Sequence, residues 1–235
     1  MPSRLSEHAS PIPAPPPAPA PARVKPRLRG VSHRYAFLVS MLPCAWLVWR
    51  APGGSATVAS AIYAGSLLGL FGTSALFHEV HWSPRARFWL GRLDLLMIFV
   101  LIAGSYTPVA MLRLEPGLGS AVLVGIWTTV LVGGIVKTLW RNPPKWLSAV
   151  IFVSIASSAL LYLPEVVAGI GPTATALMLL GGGLYTLGAA AYGLQWPDPF
   201  PATFGYHEIF HAFVIAGAAV HFATIAGYVV LATPV

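Results

Sequence analysis

The stretch GYHEIFHAFV, from Gly205 to Val214, carries His207 and His211 four residues apart, with Glu208 directly after the first. On a helix that spacing is about 40° around the axis and about 6 Å along it, so the two imidazoles can grip one metal ion. The letters match the H-E-x-x-H pattern of zinc metalloproteases, where the Glu is the general base and a third ligand follows downstream. Here the next histidine is His221, about 15 Å further along a helix, and Glu208 is the last acidic residue in the chain. A protease would have to borrow a ligand from an earlier segment. The acidic candidate, Asp94, precedes the histidines, the reverse of the order in intramembrane metalloproteases. Glu208 also stands about 100° around the helix from His207, and a carboxylate at a helix N-terminus is favoured by the dipole.

Other residues complete the set. His78 closes the run SALFH and has Ser74 four residues before it, while Asp94 closes RLD. Three imidazoles plus a carboxylate holding a water make a tetrahedral Zn2+ site of the catalytic kind, with one position open. Magnesium and calcium prefer oxygen ligands. A histidine at membrane depth is also commonly satisfied by a hydrogen bond to a neighbouring helix, and spacing alone leaves both outcomes open.

The elements that must position these side chains follow from composition. Of 235 residues, 56% are hydrophobic and 9% charged, and the mean hydropathy is +0.72. Soluble domains are about 25% charged. Seven apolar runs stand near residues 33 to 49, 56 to 80, 88 to 112, 118 to 138, 147 to 163, 173 to 194 and 206 to 231. Each approaches the length needed to cross about 30 Å of hydrocarbon as a helix. The first is the weakest, being short and holding Pro43. No alternating segments of barrel type occur, and helices are the other option in lipid. The expectation is an all-α bundle of seven transmembrane helices over residues 27–235, preceded by a disordered, uncleaved Pro/Ala tail over 1–26, where nine of the 22 prolines lie.

The single cysteine, Cys44, excludes a disulfide framework and a cysteine-built zinc site. The net charge of +7 does not point to nucleic acid, because the basic residues cluster beside the apolar runs. Arg23, Lys25, Arg27, Arg29, Arg34, Arg85, Arg87, Arg92, Lys137, Arg141 and Lys145 fall on one side, against Arg50 and Arg113 on the other. The positive-inside rule then places the N-terminus in the cytoplasm and the C-terminus outside. With that topology His78, Asp94, His207 and His211 all fall at the cytoplasmic ends of their helices, and ionisable residues at membrane depth are functional candidates by default.

Lesser expectations follow. His221 is a mid-membrane polar contact lining the lower part of a cavity. His33, His81, Arg85 and Arg87 are interfacial surface groups. Trp46, Trp49, Trp82, Trp89, Trp140, Trp146 and Trp196 mark helix ends. Pro108 kinks the third segment, and Gly181-Gly182-Gly183 permits close helix packing.

The chain resembles the hemolysin III family, the bacterial branch of the progestin and adipoQ receptor family, which is related to adiponectin receptors and alkaline ceramidases. The resemblance rests on KPRLRGVSH, SALFH, RLD, IAGSYTP and WPDPFPATFGYHEIFHAFVIAGAAVHF, in that order, and covers Pro26 to the C-terminus. It implies zinc ligands at His78, His207 and His211, an Asp94 that holds the water, and Ser74 beside them. Leu95 departs from bacterial relatives, which often have a histidine there. The resemblance further implies hydrolysis of lipid amides. Three functions are therefore weighed: a zinc hydrolase in the cell (inner) membrane acting on an acyl lipid, with Asp94 as base and Ser74 bonding the oxyanion; a non-enzymatic sensor with structural zinc; and a pore-forming hemolysin. A pore needs a polar lining that the fourth to sixth segments lack. Membrane lipids are the expected partners, and oligomeric state is left open.

Overall fold

A computed structural model describes residues 25–140 and 144–232. Most of the expected tail, together with Arg23 and Arg141, lies outside the described residues. Helices dominate: α1 (Val31–Arg50), α2 (Gly54–Glu79), α3 (Pro84–Leu112), α4 (Pro116–Leu139), α5 (Lys145–Ala156), α6 (Leu163–Leu194) and α7 (Tyr206–Thr224). A 3-10 turn, Ser157–Tyr162, links α5 to α6, and a π-turn, Ile225–Val230, prolongs α7.

Six stretches of the described residues are long and apolar enough to cross a membrane, with Lys145–Leu194 counted as one helical run. That run is interrupted at Gly171, whose φ of 80° and ψ of 163° are not helical, just before Pro172. Gly supplies the positive φ and Pro starts a new helix with φ already set. The chain reverses there: a Cβ on Gly193 would lie 3.1 Å from Ala149 Cβ and 3.3 Å from Trp146 Cα, at the start of α5. Outward-facing side chains such as Leu42, Leu131 and Leu161 are exposed, as are Trp49 and Trp196. An apolar exterior of this extent suits lipid rather than water, and the protein is a multi-pass membrane protein.

The start of the third helix differs from the sequence expectation. The third helix starts at Pro84, not near residue 88, because Ser83 caps it by accepting the Ala86 N–H at 3.3 Å and Pro84 occupies the first turn. Asp94 therefore stands well inside α3, not at its beginning. The same helix runs unbroken through Pro108. Tyr106 ties it to the linker, donating to the Ala156 carbonyl at 2.9 Å and accepting the Ala159 N–H at 2.7 Å.

The core joins α1, α2, α3 and α7 through Leu47, Tyr63, Leu67, Phe71, Leu101, Val214 and Ile225. Cys44 is a buried free thiol within it. At the far end of α7, Arg113 of the α3–α4 turn donates to the Val229 carbonyl at 2.7 and 2.9 Å and to the Ala232 carbonyl at 2.9 Å. These are terminal carbonyls that the helix itself cannot satisfy.

Candidate metal centre

α2 ends one residue after His78, and α7 begins one residue before His207, so the two helix termini face each other. His78 Nε2 and His207 Nε2 are 3.2 Å apart. With His211 they form a group in which one ligand atom from each residue lies within 4.8 Å of the others. Two nitrogens on a tetrahedral ion with bonds of about 2.1 Å stand about 3.4 Å apart, so the closest pair already has that spacing. The group could hold a metal ion. His78 and His211 are buried, and His211 Nδ1 has no hydrogen-bond partner among the described residues. Buried imidazoles this close together, with so few compensating bonds, are unfavourable unless something else satisfies them.

The other expected residues converge on the same place. Asp94 Oδ2 is 3.6 Å from His78 Nε2. Ser74, one turn before His78 on α2, is buried and lines the same cavity as His78, Asp94, His207 and His211. That cavity holds about 500 Å3 and continues between α3, α6 and α7 past Ile98, Ile102 and Met178 to His221 and on to Ile170. His221 thus lines its deeper part, as expected, but does not join the three-histidine group.

Glu208, the residue that completed the protease pattern, points elsewhere. It is 2% exposed. One carboxylate oxygen accepts the Gly205 N–H at 2.9 Å, and the other pairs with Arg29 Nε at 2.5 Å. Asp198 accepts the next donor, the Tyr206 N–H, at 3.2 Å. The first N–H groups of α7 are thereby satisfied, and the helix that presents His207 is fixed where it starts.

Some residues that shape the site were not expected. His33 is not a surface group: it is 3% exposed and its ring stacks on His211 at 3.7 Å with an interplanar angle of 6°. A lone histidine near a chain terminus gives no periodic signal of such a contact. The basic segment before α1 also does more than mark topology. Arg27 and Leu28 donate N–H bonds to the Ala202 and Thr203 carbonyls at 3.0 and 3.2 Å, Arg29 pairs with Glu208, and Lys25 Nζ donates to the His78 carbonyl. The segment therefore straps the ends of α2 and α7 together. Gly30 turns it toward α1 with a φ of 92°, where a Cβ would fall 2.7 Å from His78 Cβ. Across the site, Lys145 donates to the Tyr206 hydroxyl at 2.6 Å, and Tyr192 packs edge-on against His207 at 5.7 Å.

Comparison with known proteins bears on this arrangement. The family described as Haemolysin-III related matches residues 22–222. The chain is 29% identical over 204 residues to the "Hemolysin-3 homolog" of Bacillus subtilis (strain 168), covering 85% of this chain and 92% of that protein. It is 31% identical over 176 residues to "Hemolysin-3" of Bacillus cereus, covering 74% and 77%. It is also 30% identical over 172 residues to the "Monocyte to macrophage differentiation factor" of Homo sapiens, covering 71% and 68%.

Proposed function

This chain belongs to the Haemolysin-III related family, and from that premise we propose that it is a zinc-dependent hydrolase of the cell (inner) membrane, acting on an acyl lipid such as a ceramide-like amide and contributing to membrane lipid homeostasis. The observation that carries the proposal is the convergence of His78, His207 and His211 at the head of a cavity of about 500 Å3 that runs between the helices and is lined mainly by apolar side chains. A lipid's reacting group fits the head of such a cavity and its chain fits the rest.

We read Lys145–Leu194, interrupted at Gly171, as two crossings, for seven in all, with the N-terminus cytoplasmic and the C-terminus outside; the basic residues beside the apolar runs support that reading. Three imidazole nitrogen donors, the His78–His207 pair already at tetrahedral spacing, favour zinc. Bound there, zinc would polarise a carbonyl and lower the pKa of a water to about 7. The remaining work falls to the chain itself. Asp94, 3.6 Å from His78, would hold a water at the head of the cavity and accept its proton. Ser74 donates a hydrogen bond to the oxygen on which charge develops. The apolar lining excludes competing water.

The test is turnover of a panel of acyl lipids by purified protein beside His207→Ala. Loss of both zinc and turnover in the variant is expected, and turnover that persists without metal would sink the proposal. A second reading, a sensor in which the metal is a structural staple, is favoured by the strap that already ties α2 to α7. Zinc bound at one per chain with no turnover of any lipid would select it. A pore, which the names of the bacterial relatives bring to mind, would leak dye from liposomes carrying the protein, whereas the apolar lining argues against a water path.

A further inference from the structure

Below the histidine group the cavity has the dimensions of a single chain. On α3 its lining recurs at Asp94, Ile98, Leu101, Ser105 and Val109, one face of the helix, so from Asp94 to Val109 it is about 22 Å long. A volume of about 500 Å3 over that length gives a mean width of about 5 Å, room for one aliphatic chain whose contacts lie at about 4 Å. The polar groups along it are turned to partners of their own. The Ser105 hydroxyl donates to the Ile102 carbonyl at 2.8 Å, the Thr175 hydroxyl to the Gly171 carbonyl at 2.8 Å, and His221 Nε2 to the Met178 carbonyl at 3.0 Å. They make no demand on an occupant, which suits a chain without polar substituents.

One wall of this channel is cut away by glycine. Gly181 on α6 faces α7, where a Cβ would fall 2.1 Å from His221 Cδ2, so this glycine is what admits the imidazole. The next two, Gly182 and Gly183, line the cavity, and a Cβ on either meets nothing within 4 Å. Their depth follows from the neighbouring helix. Tyr192 of α6 packs on His207 at 5.7 Å, and further down a Cβ on Gly217 would fall 3.0 Å from the Gly181 carbonyl oxygen. Gly217 is six residues beyond His211 and ten beyond His207, so this wall lies about 9–15 Å from the histidine group.

We propose that Gly182 sets the length of chain this cavity accepts: the missing side chain lets an aliphatic tail pass that depth and run on toward Val109. The inference rests on the acyl-lipid reading of the cavity and narrows the substrate class. An extended chain advances about 1.3 Å per methylene, given C–C bonds of about 1.5 Å, so Gly182 stands near the ninth or tenth carbon and the full length takes about 16 to 18 carbons. Any side chain at position 182 stands in a channel one chain wide and stops the tail there, because a filled cavity yields only by strain.

The experiment is displacement of a bound fluorescent fatty acid from the purified full-length protein by octanoic, dodecanoic and octadecanoic acids. Each variant is compared with the wild type in the same detergent, so the ratio of affinities cancels transfer from the micelle. In Gly182→Leu, octanoic acid should bind within about twofold of wild type, while dodecanoic and octadecanoic acids weaken about tenfold or more, the scale of an overpacked site. Val109→Phe, at the far end, should spare dodecanoic acid and weaken octadecanoic acid alone. Two blocks thus give two cut-offs, and the test does not depend on either variant folding by itself. Gly125→Leu, the same change at a glycine of α4 outside the cavity lining, should alter none of the three. A loss independent of chain length, octadecanoic acid bound as in wild type by the folded variants, or no displacement by any acid would overturn the proposal. Hydrolysis is read separately: a length cut-off without lipid turnover would leave this limit standing and remove the hydrolase reading, and turnover without a cut-off would do the reverse.

Discussion

Replacing Glu208 by Gln separates its two conceivable roles. As the general base of a protease-like site, its loss would lower turnover by about 10²- to 10⁴-fold. As the start of α7, it should act on stability and on the placing of His207, not on turnover once metal is bound. The geometry sets the size. Glu208 is buried while Arg29 keeps 18% of its side chain exposed. Removing one partner of a fully buried pair costs about 3–5 kcal/mol. Gln still accepts the Gly205 N–H, and the Arg29 head reaches water, so about 1–2 kcal/mol is expected here. For a chain of this size that is a fall in unfolding temperature of about 2–8 °C. His207 sits in the loosened first turn, so metal affinity should weaken by at most about tenfold. The assay is thermal unfolding of the detergent-solubilised variant, with metal content and lipid turnover measured at saturating zinc. Turnover within about threefold of wild type supports the capping role. A loss of 100-fold or more with zinc still bound and the fold intact would refute it.

The strap and its neighbours supply further tests. Gly30→Ala forces a side chain into a positive φ and against His78 Cβ, which should destabilise the protein by about 2–4 kcal/mol and weaken metal binding more than Gly125→Ala, whose Cβ meets nothing within 4 Å, as a metal titration would show. His33→Ala removes the stack on His211, an interaction of about 0.5–1.5 kcal/mol. It should lower metal affinity by about two- to tenfold, whereas His33→Phe keeps a ring there and should restore most of it. Arg113→Ala leaves the Val229 and Ala232 carbonyls without their donor and should cost about 1–3 kcal/mol, measured as a fall in unfolding temperature with metal content unchanged.

The sequence exposes some parts of this site and hides others for physical reasons. The His207–His211 pair is legible because helical periodicity alone puts both on one face. Ser74 and His78 are legible in the same way. Glu208 is legible as an N-terminal carboxylate because its place in the first turn is fixed by the same helix. What no periodicity reports is contact between distant segments. Thus Arg29, read as part of a charge cluster, proves to be the partner of Glu208. His33, read as a surface group, stacks on a residue 178 positions away in the chain. Gly181 is correctly a close-packing position, but the sequence does not say that an imidazole is what it admits. The start of α3 has a local signal, since Ser83 followed by Pro84 is a capping pair, but the polar residues after it set the apolar run four residues further along. The break in Lys145–Leu194 is visible as Gly171-Pro172, yet the residues before it continue as helix because Leu163 to Ile170 are themselves compatible with one.

The central claim is that the three histidines hold one metal ion at the head of the cavity. Metal analysis of the purified wild type beside His78→Ala, His207→Ala and His211→Ala tests it most directly. One zinc per wild-type chain, lost in each of the three folded variants, is the expected result. A wild type purified without metal that takes up no zinc, or a zinc content unchanged by all three substitutions, would contradict it.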